Sequence, residues 1–125
     1  YARTGGVSRA VSEMLNQLRP DRKIKFAAEQ ANGAKECVQM IKRIQSSETK
    51  ANFFEVMGCV GGCVGGPKAI LDKEEATKLV NEYAEKSEFM TPLENPHVRK
   101  ILEDLGFDTV EDLLEDDSLL VRDFS

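Results

Sequence analysis

At 125 residues, the chain is long enough for one modest hydrophobic core and too short for two independent ones. Hydrophobic residues make up 41% and charged residues 31%, and no apolar run approaches the roughly 20 residues that cross a bilayer, which argues against membrane insertion. The net charge of -5 argues against a nucleic-acid partner, because phosphate binding relies on clustered Lys and Arg.

Apolar periodicity predicts that helices and strands alternate through the first part of the chain. Apolar residues recur every three to four positions in the predicted helices and alternate with polar residues in the first predicted strand. The second predicted strand is a compact apolar run that ends at Gly58. In chain order, the predicted elements are a helix over 7–18, a strand over 23–29, a helix over 34–45, a strand over 53–56, and a helix that begins after Asp72 and buries Ala76, Leu79, Val80 and Tyr83.

This order of elements predicts an α/β fold with a small, mainly parallel sheet flanked by helices, because each strand adjoins a helix long enough for a right-handed crossover. Further along, the sequence predicts a helix that starts at Asn95 and stops at Gly106, and a short helix over 109–114. We therefore expect an α/β region over 1–91 and a C-terminal helical extension over 92–125 that packs on it.

The three cysteines favour metal or redox chemistry over a disulfide framework. Cys59 and Cys63 lie four residues apart among glycines, a pattern that suits a protein of the reducing cytosol. We therefore expect a cytoplasmic protein. Cys37 lies on the apolar stripe of a predicted helix, where a free cysteine acts as a small buried hydrophobe, and we do not count it as a ligand.

The stretch EVMGCVGGCVGGPK, over 55–68, is the segment most suited to chemistry. Its glycine density implies positive φ angles or a close approach of the backbone to a bulky cofactor. A phosphate-binding loop is disfavoured, because Pro67 and Ala69 stand where that motif needs a glycine and a magnesium-binding hydroxyl. The glycines that we expect to contact a cofactor are Gly58, Gly61 and Gly62.

Two other polar residues receive structural interpretations. A zinc site is disfavoured, because it would need four ligands and the chain offers three cysteines, one of them expected in the core. The single histidine, His97, is expected to face solvent at a helix start. Glu55, near the end of the second predicted strand, is expected to pair with a nearby cation rather than take part in chemistry.

Three landmarks resemble one protein family. VMGCVGGC, over 56–63, resembles the third signature of FeFe hydrogenases, whose equivalent loop holds the H-cluster. RTGGVSRAV, over 3–11, is similar to the family's Thr-Gly-Gly-Val turn before a helix, and NPHVRK, over 95–100, resembles a later helix start. The landmarks occur in the family's order, so the chain resembles the C-terminal portion of the catalytic domain of the FeFe-hydrogenase large subunit, in a divergent subgroup.

The resemblance implies roles for three side chains and a reaction. Cys59 would ligate the 4Fe-4S cubane, Cys63 would bridge the cubane to the di-iron subsite, and Met57 would pack against the ligands of the di-iron unit. The implied reaction is reversible oxidation of molecular hydrogen, with electrons exchanged with ferredoxin-type carriers. The other cluster ligands belong to upstream motifs, so the missing N-terminal part is an expected partner, and this chain alone is expected to be inactive and to hold no complete cluster.

The sequence departs from the family pattern after Cys63, where VGGPKAI replaces a glycine run that ends in glutamine. This departure leaves open a non-catalytic relative, either a sensor of redox state or hydrogen or an iron-sulfur assembly protein. A third hypothesis is a disulfide switch formed by Cys59 and Cys63, which would not depend on iron.

Overall fold

The computed structural model describes residues 1–119 and 121–122, and the chain divides into two compact units, residues 1–88 and 89–125. Leu120 and residues 123–125, which fall within the predicted extension, lie outside the described residues. Across the described part, no helix combines the length and the apolar character that a membrane span requires. The predicted packing of the extension on the α/β region stays a prediction.

The first unit is built around two parallel strands. Its elements are α1 (Gly6–Leu18), β1 (Ala28–Asn32), α2 (Gly33–Gln45), β2 (Phe53–Met57) and α3 (Lys73–Glu85), with a single 3-10 turn at Cys63–Gly65. The strands pair in register from Ala28 opposite Phe53 to Asn32 opposite Met57. This arrangement confirms the predicted α/β class, with a small parallel sheet and neighbouring helices.

Helices α1 and α2 pack on opposite faces of the sheet, because successive side chains of a strand point to opposite sides. Glu55 of β2 bonds to Ser8 at the start of α1. The neighbouring Phe54 instead packs with the buried residues Ala31, Cys37 and Met40, the last two from α2. Cys37 is therefore a core residue, as predicted, and both strands deliver their C-terminal ends to the same edge of the sheet.

The first strand begins later than the predicted 23–29. The structure places it at Ala28–Asn32, and Ile24 is 73% exposed rather than half-buried. The side chain of Asn52 explains the difference, because it accepts a hydrogen bond from the backbone N–H of Ala27 and donates one to the carbonyl of Lys25. These bonds occupy backbone groups that a longer strand would need for pairing.

Helix α3 does not bury the predicted stripe. Tyr83 is 82% exposed and Leu79 is 47% exposed, whereas Ala76 and Val80 are half-buried. A two-stranded sheet already covered by α1 and α2 leaves no broad apolar surface for a third helix. Helix α3 instead lies beside the loop that follows β2, with the Lys73 side chain next to the loop glycines.

The second unit contains a 3-10 turn at Pro92–Glu94 followed by α4 (Pro96–Asp104) and α5 (Val110–Glu115). Asn95 caps α4 as predicted, with its side chain accepting a hydrogen bond from the backbone N–H of His97. His97 itself is exposed, as expected. Helix α5 starts with a capping box, in which Thr109 and Asp112 bond to each other's backbone N–H groups.

We predict that Met40→Ala lowers the free energy of unfolding by about 2–4 kcal/mol, because Met40 is 1% exposed and its truncation leaves a cavity among Ala31, Cys37 and Phe54. The matched control is Ile41→Ala, the next residue of the same helix, which is 50% exposed and should cost less than about 1.5 kcal/mol. Urea denaturation of both variants measures the difference. Equal losses would show that α2 does not bury Met40.

Candidate functional site

The candidate site is the loop that leaves the C-terminal end of β2. Met57, the last residue of the strand, is half-buried, and its carbonyl accepts a weak hydrogen bond from the Cys37 thiol at 3.5 Å. Cys59 is half-buried, and Cys63 is exposed at the start of the 3-10 turn. The structure thus places all six site residues predicted from the sequence on one segment at the edge of the sheet, where functional groups of α/β proteins commonly lie. They are Met57, Gly58, Cys59, Gly61, Gly62 and Cys63.

Consecutive turns give the loop its shape. The backbone N–H of Gly62 donates to the carbonyl of Cys59 at 3.0 Å, and that of Gly66 donates to the carbonyl of Cys63 at 3.1 Å. Gly61 and Gly62 have φ angles of 92° and 84°, in the left-handed region that glycine adopts without steric cost. Part of the glycine density therefore serves the conformation of the loop itself.

The N-terminal turn before α1 packs against the loop backbone to backbone. The N–H of Thr4 donates to the carbonyl of Gly61 at 3.0 Å, and the N–H of Val64 donates to the carbonyl of Ala2 at 3.0 Å. A Cβ atom at Gly62 would lie 2.9 Å from backbone atoms of Arg3 and Thr4. The close approach that Gly62 permits is thus made, in this structure, to the N-terminal turn.

Asn32 joins the same two segments to the sheet. Its side-chain oxygen Oδ1 accepts a hydrogen bond from the Thr4 hydroxyl at 2.6 Å and another from the N–H of Gly61 at 2.9 Å. Asn32 was not among the site residues predicted from the sequence. The available signal was its position before Gly33, at a predicted boundary, since polar side chains at the C-terminal ends of parallel strands are common components of α/β sites.

Glu55 has a structural role, as predicted, but its partners are not cations. The carboxylate is 4% exposed and accepts hydrogen bonds from the backbone N–H groups of Gly5 and Ser8 at 2.9 and 2.8 Å, and from the Ser8 hydroxyl. Burial raises the pKa of Glu55, but bonds from Ser8, Gly5 and Val7 outweigh it and hold the pKa below its ordinary value of 4.5. The carboxylate is therefore an anionic cap on the first turn of α1.

The loop offers two thiols as metal ligands. All three cysteines are free, and among the described residues no group of three or more His, Cys, Asp or Glu side chains is arranged to hold a metal ion. A Cβ at Gly58 would meet no atom within 4 Å, so there is open space beside Cys59. Two soft thiols, one of them next to open space, fit part of an iron-sulfur ligand set, which normally takes four cysteines.

We predict that Glu55→Gln destabilises the protein by about 1–3 kcal/mol at pH 7, because a neutral amide replaces a carboxylate that accepts charge-assisted hydrogen bonds. The pKa of Glu55 is lower in the folded state, so its contribution is complete well above pH 4.5 and is lost as the pH falls through the folded-state value. The variant should therefore lose less stability than the wild type below about pH 4.5. Urea denaturation at several pH values tests this.

Glu82→Gln serves as the control for that measurement, because Glu82 makes only a partly exposed 3.8 Å ion pair with Lys78. Its effect should stay below about 1 kcal/mol. The capping role would be contradicted if the free energy of unfolding of Glu55→Gln depended on pH in the same way as that of the wild type.

We predict opposite outcomes for alanine at two loop glycines. A Cβ at Gly65 would lie 1.9 Å from the carbonyl oxygen of Val60, so Gly65→Ala must displace the loop and should cost about 1–3 kcal/mol. Gly58→Ala meets no atom within 4 Å and should change the free energy of unfolding by less than about 1 kcal/mol. Denaturation midpoints compare the two variants, and a more damaging Gly58→Ala would refute this loop geometry.

One comparison with known proteins matches the segment that contains this site. A family model described as iron only hydrogenase large subunit, C-terminal domain, matches residues 1–67. A search of curated proteins gave no match. The matched region covers more than half of the 125 residues and includes the N-terminal turn, both strands and both loop cysteines.

Proposed function

We propose a function from the premise that the chain belongs to the family of the C-terminal domain of the iron-only hydrogenase large subunit. In this proposal, the loop carrying Cys59 and Cys63 supplies two thiolate ligands to an H-cluster, and the parent protein is an iron-sulfur oxidoreductase. The observation that carries the proposal is the pair of free thiols on one loop, held against the N-terminal turn within the matched region. When bound, the cluster supplies the interconversion of protons, electrons and molecular hydrogen.

The family resemblance implies different roles for the two cysteines. Cys59, which is half-buried, would ligate the 4Fe-4S cubane. Cys63, which is exposed at the start of the 3-10 turn, would link the cubane to the di-iron subsite. Met57 would provide a polarizable thioether beside the di-iron unit.

The remaining parts of the site would come from outside the 125 residues. A cubane normally takes four thiolates, whereas this loop offers two, so we propose that the upstream part of the parent protein provides the others. Ferredoxin-type carriers would exchange the electrons. The chain's own contribution is to hold and orient the two cysteine ligands through the backbone hydrogen bonds of the loop. Such hydrogen bonds around a cluster also tune its properties.

A second candidate is a non-catalytic member of the family that keeps a cluster without turning over hydrogen, such as a redox or hydrogen sensor or an assembly protein. The family match ends at Pro67, where the sequence also departs from the family's glycine-glutamine pattern. A change this close to Cys63 alters the surroundings of the proposed bridging ligand. This observation favours a site that has diverged in function.

We predict that a longer polypeptide with the family's two upstream cysteine motifs binds a stoichiometric cubane after anaerobic reconstitution, whereas this chain alone does not. In the longer protein, Cys59→Ser should remove most of the cubane absorbance. Cys63→Ser should keep much of that absorbance but abolish hydrogen turnover, because the bridging thiolate is lost. Iron and sulfide analysis, visible absorbance and hydrogen evolution with a reduced carrier provide the measurements.

Cys37→Ala is the control for a cysteine outside the loop, since Cys37 is buried in the core. It removes only a weak 3.5 Å hydrogen bond to the Met57 carbonyl, so cluster content should change little. Equal loss of the cubane in both loop variants would remove the distinction between the two cysteines. A wild-type cubane without hydrogen turnover would support the second candidate. A longer protein that takes up no iron would contradict both.

A further inference from the structure

The side chain of Asn32 lies where three segments of the first unit meet. Its Oδ1 accepts hydrogen bonds from the Thr4 hydroxyl and from the Gly61 N–H, so one oxygen joins the end of β1, the N-terminal turn and the cysteine loop. We propose that Asn32 is a positioning residue that holds Cys59 and Cys63 in place for the metal cluster. This inference rests on the proposed function and names a residue through which the chain prepares that site.

The strand register places Asn32 beside the start of the cysteine loop. Asn32 is paired with Met57 in the sheet, and its side chain also receives the N–H of Gly61. The chain therefore leaves the sheet beside Asn32 at Met57 and returns to the same residue at Gly61. Cys59 lies at the middle of this short arch, residues 57–61, and both ends of the arch are fixed to one residue.

Asn32 is connected to Cys63 indirectly, through the N-terminal turn. Thr4, whose hydroxyl bonds to Asn32, also donates its backbone N–H to the carbonyl of Gly61. Two residues before it, the carbonyl of Ala2 accepts the N–H of Val64, which directly follows Cys63. Fixing Thr4 against Asn32 thus fixes the segment that borders Cys63.

Asn32 is itself well anchored for this role. Its backbone N–H donates to the Glu36 carboxylate at 2.9 Å, within the first turn of α2. Beside it, a Cβ at Gly33 would lie 3.0 Å from a methyl group of Val60, so the start of α2 also touches the arch. A rigid acceptor at this point reduces the freedom that the loop must lose when a ligand joins both thiols.

Capture of phenylarsine oxide tests the inference in the intact 125-residue chain, because this trivalent arsenical binds tightly only when two thiols reach it together. Asn32→Ala should weaken the affinity by about tenfold, the effect expected from losing hydrogen bonds that pre-organise the loop. Asn32→Asp, which keeps an acceptor oxygen, should stay within about threefold of the wild type. Thr4→Val, which removes one of the two donors, should give an intermediate loss.

Asn52→Ala is the matched control for a merely structural effect. Like Asn32, Asn52 makes two side-chain hydrogen bonds, in its case both with backbone groups, but they lie beside the start of β2, at the opposite end of the sheet. It should leave arsenical affinity unchanged. Amide hydrogen exchange gives an independent readout, in which Asn32→Ala should speed exchange at Val64 while the Met40 amide of the core stays protected.

Three results would overturn the inference: a wild-type chain that captures no arsenical, an Asn32→Ala chain with unchanged affinity and Val64 exchange, or an equal effect from Asn52→Ala. The proposed function is tested separately by iron uptake in the longer polypeptide. If Asn32→Ala weakens arsenical binding but the longer polypeptide takes up no iron, the proposed cluster-binding function is refuted and the positioning of the two thiols by Asn32 is retained. Iron uptake with no Asn32 effect would refute only the positioning role.

Discussion

The buried carboxylate of Glu55 is the constraint on which the arrangement of the first unit depends. It comes from the central part of β2 and accepts the N–H groups at the start of α1, so it fixes that helix start to the sheet. Gly5, one of its donors, directly follows Thr4, which contacts the cysteine loop. A single anion thereby aligns the strand that leads into the loop with the turn that braces it.

The loop shows how a glycine-rich segment becomes ordered without burying large side chains. The positive φ angles of its glycines allow tight turns. Because Gly62 has no side chain, the loop backbone can contact the backbone of the N-terminal turn directly. Hydrogen bonds from the N-terminal turn and from Asn32 then compensate part of the conformational entropy that such a segment loses. The loop that carries the thiols is held mainly by main-chain hydrogen bonds, supplemented by the side chain of Asn32.

Local patterns in the sequence were sufficient for much of the fold. The extents of α1 and α2, the cap at Asn95 and the position of β2 depend on near neighbours, and each appears where it was predicted. The apolar stripe predicted for α2 is wrong apart from Cys37, because Val38, Ile41 and Ile44 are exposed and Met40 is buried instead. The cysteine loop was likewise identified from adjacent residues. By contrast, the late start of β1 depends on the side chain of Asn52, and the exposure of Tyr83 depends on how narrow the sheet is.

The residues of the candidate site could be selected from the sequence only where they are contiguous. Cys59, Cys63 and their glycines meet that condition, whereas Asn32 bonds to residues 28 and 29 positions away in sequence. Hydrogen bonds over such separations leave no periodic trace. Glu55 is a similar case, since its correct partners were backbone groups of a helix start rather than a cation.

The arch over residues 57–61 also limits how this segment can change over evolutionary time. The sheet register fixes one end at Met57 and a side-chain hydrogen bond fixes the other at Gly61, so the number of intervening residues is set by geometry. Substitutions are tolerated more readily than changes of length, because Gly58 borders open space and Val60 is 52% exposed. One inserted or deleted residue would move Cys59 off its position or break the contact with Asn32, so drift here should proceed by replacement of residues and not by insertion or deletion.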